Sequence, residues 1–326
     1  MLLLFLLACA GPKGIDSASP ATDSATAPTS TGAGSVPTTA SEPAAAVSVH
    51  TGPLASCALT DAGAVLCWGE APVADAVPEG RFVDLAVGTI ACAVHETGAL
   101  ACWGDDTFDG GMLAAVPAGD FVAVDVAELF ACALDGTGAV TCWGALDWVD
   151  GDLSTVPPPT EPLATVRAGS YIACGLTQTG TVACWGADEE FPPNQPDLDL
   201  LDDAPQGQPA TDVDAFRYAG CMLDLDGALA CWGAELGSES DTGIAGRPPA
   251  GRFVDLSLGH RQACAVDDGG RLHCWGVGAT TPPAGDHVQV SAGYDHGCAV
   301  KTDGSVVCWG EDDAGETWVP PALSPG

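Results

Sequence analysis

Cys57-Ala58-Leu59-Thr60-Asp61-Ala62-Gly63-Ala64-Val65-Leu66-Cys67-Trp68-Gly69 is the first of seven copies of one pattern. The others occupy 92–104, 132–144, 174–186, 221–233, 264–276 and 298–310. Each copy has two cysteines ten positions apart, a glycine six after the first cysteine, and Trp-Gly closing the pattern. A motif recurring every roughly 35 to 47 residues marks a repeat architecture and overrides the two-domain expectation set by a length of 326 residues.

The motif reads as a β-hairpin. If Cys57 faces Cys67, then Asp61-Ala62-Gly63 is a three-residue loop of the kind that ends in a left-handed residue, and glycine holds that place in every copy. Counting back from the turn, Leu59 faces Val65 and Ala58 faces Leu66. The cysteines then meet at a non-hydrogen-bonded pair, where opposite Cα atoms are closest, and this suits a disulfide. The expected bonds are Cys57–Cys67, Cys92–Cys102, Cys132–Cys142, Cys174–Cys184, Cys221–Cys231, Cys264–Cys274 and Cys298–Cys308. Structural zinc sites bring cysteines together at two-to-four-residue spacing on one knuckle, which is absent here, so no metal is expected.

The same register sets Trp68 opposite Ser56. Its equivalents stand opposite Ala91, Ala131, Ala173, Gly220, Ala263 and Gly297, all small enough for an indole to lie flat across them. The other hairpin face carries the cysteines and aliphatic pairs, so both faces are to be buried. Before each hairpin a run such as Phe82-Val83-Asp84-Leu85-Ala86-Val87 alternates with period two and predicts a strand. It recurs at 46–51, 121–126, 163–168, 211–216, 253–258 and 287–292. Sheets buried on both faces and repeated seven times describe an all-β, seven-bladed β-propeller over 47–326. After Trp-Gly, segments ending in Val77-Pro78, Val116-Pro117, Val156-Pro157 and Val319-Pro320 are expected as short outer edge strands, and 187–210 as an insertion.

Residues 1–9 carry an apolar run too short to span a bilayer but suited to an export signal, and Leu6-Leu7-Ala8-Cys9 resembles a bacterial lipobox. That resemblance implies a lipid on Cys9, the one cysteine outside the repeats, and a membrane contact limited to this anchor. Residues 10–46 are Ser, Thr, Ala, Pro and Gly-rich and are expected to be a disordered tether with a reach of about 35 Å. Fifteen cysteines, fourteen of them in regular pairs, call for an oxidising compartment. Localisation is therefore expected to be exported, at the cell envelope or surface or secreted. Forty-four acidic against nine basic residues give a net charge of -35, which argues against nucleic acid or an anionic membrane as partner.

Gly293-Tyr294-Asp295-His296-Gly297-Cys298-Ala299-Val300, Gly304 and Cys308-Trp309-Gly310 resemble the repeat of the regulator-of-chromosome-condensation family. The resemblance covers about residues 47–326 and implies a seven-bladed propeller. The family's Asn-x-x-Gly-Gln-Leu-Gly tail is mostly lost; Glu311-Asp312-Asp313-Ala314-Gly315-Glu316-Thr317 is an echo of it. Members that exchange nucleotide on a small GTPase are nuclear, so that activity is not carried over. A secreted relative that covers a β-lactamase with one rim shows that the scaffold suits protein binding.

No nucleophile elbow, zinc-protease helix, phosphate loop or dinucleotide fingerprint is present, and no cofactor is expected. Asp105, Asp109 and Gly110 have the look of a calcium loop, but Val116 occupies the position of its closing acid. The connectors just before each first cysteine carry Phe130, Tyr171, Arg217, Tyr218, His260, Arg261, Tyr294 and His296. Aromatic residues and arginine are common interface anchors, so these form a candidate binding rim. The expected function is a monomeric, non-enzymatic module that binds an extracellular protein or glycan. The alternative is an extracellular glycan-active or metal-assisted hydrolase using acidic loop residues.

Overall fold

The structure is a computed structural model that describes residues 44–324, apart from 108, 146, 149–150, 153–156, 171, 187–199 and 234–241. Cys9, the tether through residue 43 and Tyr171 lie outside the described residues, as does Val156 of the Val156-Pro157 segment.

Seven antiparallel three-stranded sheets form the blades, each built from contiguous sequence as inner, middle and outer strand. Blade 1 is Ala46–Thr51, Ala55–Thr60 and Val65–Gly69, and blade 2 is Phe82–Val87, Ile90–His95 and Leu100–Gly104. Blade 3 is Phe121–Val126, Phe130–Asp135 and Val140–Gly144; blade 4 is Arg167–Ala168, Ile172–Leu176 and Val182–Gly186. Blade 5 is Asp212–Phe216, Ala219–Leu223 and Leu229–Gly233; blade 6 is Phe253–Leu258, Ala263–Asp267 and Leu272–Trp275; blade 7 is His287–Ala292, His296–Lys301 and Val306–Gly310. Each blade packs on the next, and blade 7 on blade 1, which closes the ring.

The hairpin register is the expected one. Cys57 pairs with Cys67, Leu59 with Val65 and Ser56 with Trp68. All seven disulfides are formed within blades, with Cα atoms 4.0 to 4.1 Å apart. The turn glycines, such as Gly63 at φ 77° and Gly98 at φ 88°, occupy the left-handed region that other residues avoid. Each turn glycine also offers its carbonyl to the next blade. Phe82 N–H donates to Gly63 O at 2.8 Å, Phe121 N–H to Gly98 O at 2.8 Å, and Ala46 N–H to Gly304 O at 2.8 Å. The turn thus sets the hairpin and its neighbour's position together.

Between blades, the cysteine face of one sheet meets the tryptophan face of the next. Cys57, Leu59 and Val65 pack with Phe82, Leu85 and Trp103, and Cys298, Val300 and Val306 pack with Ala58 and Trp68 across the closure. Every repeat tryptophan is at most 9% exposed, and burial of such large rings dominates core energetics. A Cβ on Gly297 would lie 2.7 Å from the Trp309 ring, so the small cross-strand partner is a steric requirement.

Among the described residues the expected outer edge strands are absent, and after blade 3 Asp147–Trp148 and Gly151–Asp152 pair only with each other. Val77-Pro78, Val116-Pro117 and Val319-Pro320 lie in irregular backbone, and Ala71–Ala74 is a single helical turn. These segments instead cap the following blade's indole. Trp103 Nε1 donates to Val73 O at 2.9 Å, Trp143 Nε1 to Met112 O at 3.2 Å, and Trp68 Nε1 to Glu316 O at 2.8 Å. A proline-rich segment lacks the donors for a ladder but has carbonyls to spare, which accounts for the exchange of roles. In the expected insertion, Leu200 and Leu201 are buried, and Leu200 O accepts Trp232 Nε1 at 2.9 Å.

Candidate functional site

The seven inner strands surround an axial channel. Residues opposite the first cysteine of each blade, and those two positions earlier, face it. They include Asp84, Asp125, Asp212, Asp214 and Asp255, with Arg167, His50, Gln289 and Ser291 among them. The edge of an inner strand would leave backbone N–H groups unpaired, and these side chains satisfy them across blades. Val124 N–H donates to Asp84 Oδ2 at 2.8 Å, Ala168 N–H to Asp125 Oδ2 at 2.6 Å, Leu258 N–H to Asp214 Oδ2 at 2.7 Å and Val290 N–H to Asp255 Oδ2 at 2.7 Å. At the closure, Gln289 Oε1 accepts Val49 N–H at 3.0 Å and Ser291 Oγ accepts Thr51 N–H at 3.0 Å.

Burial disfavours charge on these carboxyls, and the backbone bonds and Arg167 offset only part of that effect. Asp84 is pushed up to about 6, and Asp214 and Asp255 to about 7. Burial likewise holds His50 down to about 4, with Arg167 adding to the shift. Among the described residues no three His, Cys, Asp or Glu side chains converge to hold a metal ion.

Apart from Asp212, these channel residues line a cavity of about 340 Å³ that reaches the connectors between inner and middle strands. At this mouth the ring is spanned by a cluster from five blades. Arg217 of blade 5 donates from Nη2 to Glu128 Oε1 at 2.6 Å and from Nε to Glu128 Oε2 at 3.0 Å, while Ser170 Oγ donates to Glu128 Oε2 at 2.7 Å. The Arg217 guanidinium lies 6.0 Å from the ring centre of Tyr294 in blade 7, and His260 lies 4.6 Å from the same ring. Phe216 meets Tyr294 edge-on at 6.1 Å. Arg217 has φ 43°, the only positive φ on a non-glycine among the described residues, and such outliers persist only where their surroundings hold them. Burial, then the Arg217 charge, lowers the pKa of His260.

Of the rim expected from sequence, Arg217, Tyr218, His260, Arg261 and Tyr294 remain accessible, with Arg261 the most exposed. Phe130 and His296 do not belong to it. Each is the first residue of its middle strand, and each points to the buried cysteine face at 2% and 1% exposure. Ser56 Oγ–H donates to Glu316 O at 3.1 Å, so the His296 contact at 3.0 Å is an Nε2–H donated to Ser56 Oγ. His296 therefore joins blade 7 to blade 1, and burial holds its pKa down to about 4. Sequence reasoning missed Glu128 and the channel carboxylates. The carboxylates' signal was present in the register, since they stand in the inner strand at or two before the position facing the first cysteine, whereas Glu128 lies in the connector beyond its inner strand.

Residues 288–316 match the model of the Regulator of chromosome condensation (RCC1) repeat. No curated protein matches the chain in sequence. Among solved structures, the CRINKLY WD40 ectodomain of the receptor kinase ACR4 from Arabidopsis thaliana is similar, with 21% identity over 82% of this chain and 96% of that one and a TM-score of 0.62. The entire ectodomain of the receptor kinase CR4 from Physcomitrella patens has 22% identity over 82% and 74%, at 0.64. Prp20p from Saccharomyces cerevisiae has 15% identity over 85% and 74%, at 0.50. With seven three-stranded blades closed into a ring, the chain is a β-propeller, and its residues 288–316 match the RCC1 repeat.

Proposed function

We propose that this propeller is a non-enzymatic, extracytoplasmic binding module that presents the channel mouth to a protein or glycan partner. The observation that carries the reading is the Glu128–Arg217–Tyr294–His260 cluster, in which a strained arginine is held among residues of four blades at a concave opening. Rigid scaffolds with irregular connectors commonly carry their contacts in this way. The seven disulfides support an oxidising compartment. Cys9 would carry a lipid and residues 10–43 would tether the propeller to the envelope; intact mass of the exported protein tests that arrangement. Similar propellers among solved structures include receptor ectodomains, and the Prp20p study concerns binding to Gsp1p and histones, so the fold is suited to protein contacts.

The test is capture of a surface-fraction partner by the full chain and by variants on opposite faces. His260→Ala with Arg261→Glu should lose the partner, while Arg81→Glu with Arg252→Glu should retain it. The reverse result would overturn the assignment of the mouth.

A further inference from the structure

The chemistry of the channel narrows what a partner can place at its mouth. Four inner-strand carboxylates, Asp84, Asp125, Asp214 and Asp255, line the channel against one guanidinium, Arg167. Arg167 is enclosed by the ring yet 41% reachable by solvent, and it is not saturated by its neighbours. Its Nη2 is 4.0 Å from Asp212 Oδ1, and its Nη1 donates to Val166 O at 3.4 Å. Asp84, Asp125, Asp214 and Asp255 each accept an N–H from the next blade, and Asp214 Oδ1 also accepts Ala215 N–H at 2.8 Å, which still leaves acceptor capacity on carboxylates that offer about four lone-pair sites. Burial raises the proton affinity of Asp214 and Asp255, and Arg167, the one guanidinium among these carboxylates, offsets only part of that effect.

Three features describe the cation that these carboxylates suit. The carboxylates stand on separate blades and do not converge as metal ligands, so a compact ion does not match them. The cavity, at about 340 Å³, lies at the small end of ligand pockets and suits one long side chain. Val87, Val126 and Leu258 line its upper walls, where the methylene stem of a basic side chain can lie with its head deeper among the carboxylates. The chain's net charge of -35 steers basic partners toward it.

We propose that the mouth receives a lysine or arginine side chain carried on a protruding segment of a protein partner, with the charged head entering the axial channel. This rests on the reading of the mouth as the binding site and names what binds there. Entry of the head allows Asp214 and Asp255 to ionise, so binding releases protons near neutral pH.

The test uses the full chain and a fluorescein-labelled glycine–serine peptide with one central lysine, against the same peptide with norleucine. The lysine peptide should bind about tenfold more tightly at low salt, and Asp214→Asn with Asp255→Asn should remove that advantage. Should that variant fail to fold, Ala123→Lys serves instead. It places a tethered ammonium in the channel without touching an interblade carboxylate, and it should abolish the lysine preference. Equal affinity for both peptides, or an undiminished preference in the channel variants, overturns the proposal. Free 1,4-diaminobutane binding as tightly as the lysine peptide would make the channel a small-molecule site and overturn the assignment to a protein partner. If His260→Ala and Arg261→Glu weaken peptide binding while the channel variants do not, the mouth stands and the basic head falls. If neither set matters, both readings fall.

Discussion

The carbonyl of Gly304, in the last hairpin turn, accepts the N–H of Ala46, the first residue of the first inner strand, at 2.8 Å. The ring therefore closes with the same bond that joins Gly63 to Phe82 and Gly270 to His287, and without exchange of a strand between blades.

Gly304→Ala should weaken that closure. Gly304 has φ 80°, where an L-residue costs about 1–2 kcal/mol, and a Cβ would lie 2.7 Å from that of Ala45. Gly315, at φ 84° with nothing within 4 Å, is the matched control. In urea titrations Gly315→Ala should show the conformational cost alone, and Gly304→Ala a larger one. Equal losses would mean that the turn does not position the neighbouring blade.

Trp309 tests the packing between blades. Trp309→Ala should cost about 3–5 kcal/mol, as for a large ring removed from a core. Gly297→Ala, which drives a Cβ to 2.7 Å from the same ring, should cost about 1–3 kcal/mol through overpacking. Both are read from denaturant midpoints. A neutral Gly297→Ala would contradict the flat placement of the indole.

The channel carboxyls give stability a definite pH dependence. A carboxyl whose folded pKa is raised binds its proton more tightly in the folded chain, so its contribution is greatest below the ordinary carboxylate range and is lost as pH rises through the folded value. For Asp84 that value is about 6, and for Asp214 and Asp255 about 7. His50 and His296, held down to about 4, act in the opposite sense: their contribution is present above about 6.5 and is lost as pH falls through about 4. Between pH 8 and 6.5 the carboxyls are unopposed by these histidines, so melting temperature should rise as pH falls across that window. Asp214→Asn with Asp255→Asn keeps an acceptor oxygen at each site and should flatten the rise. A melting temperature that falls over the same window would refute the burial account.

The hairpins were legible because a three-residue turn with its left-handed glycine fixes register, and register fixes both the Cys57–Cys67 pairing and the small partner of Trp68. The same parity could have placed Phe130 and His296. Both stand two residues before a cysteine, on its face, as do Ile90 and Ile172, and all four are buried. Reading them as connector residues overlooked that the middle strand had already begun. The channel was harder to see. An aspartate alternating with aliphatics, as in Phe82-Val83-Asp84-Leu85, reads as a solvent-facing strand residue, and only seven inner strands in a ring turn it toward an enclosed axis. Arg217 and Glu128, 89 positions apart, meet solely through that ring.

The self-contained, oxidised blade is the claim on which the fold, the compartment and the mouth all depend. Each eleven-residue disulfide loop should contribute about 2–3 kcal/mol by the chain-entropy model, less where the hairpin persists in the unfolded chain. Peptide mapping of the exported protein without reduction tests the claim most directly. The account predicts seven linkages, each joining cysteines ten positions apart, from Cys57–Cys67 to Cys298–Cys308, with no free thiol among those fourteen cysteines. Linkages between blades, or alkylatable thiols in the native exported protein, would contradict it.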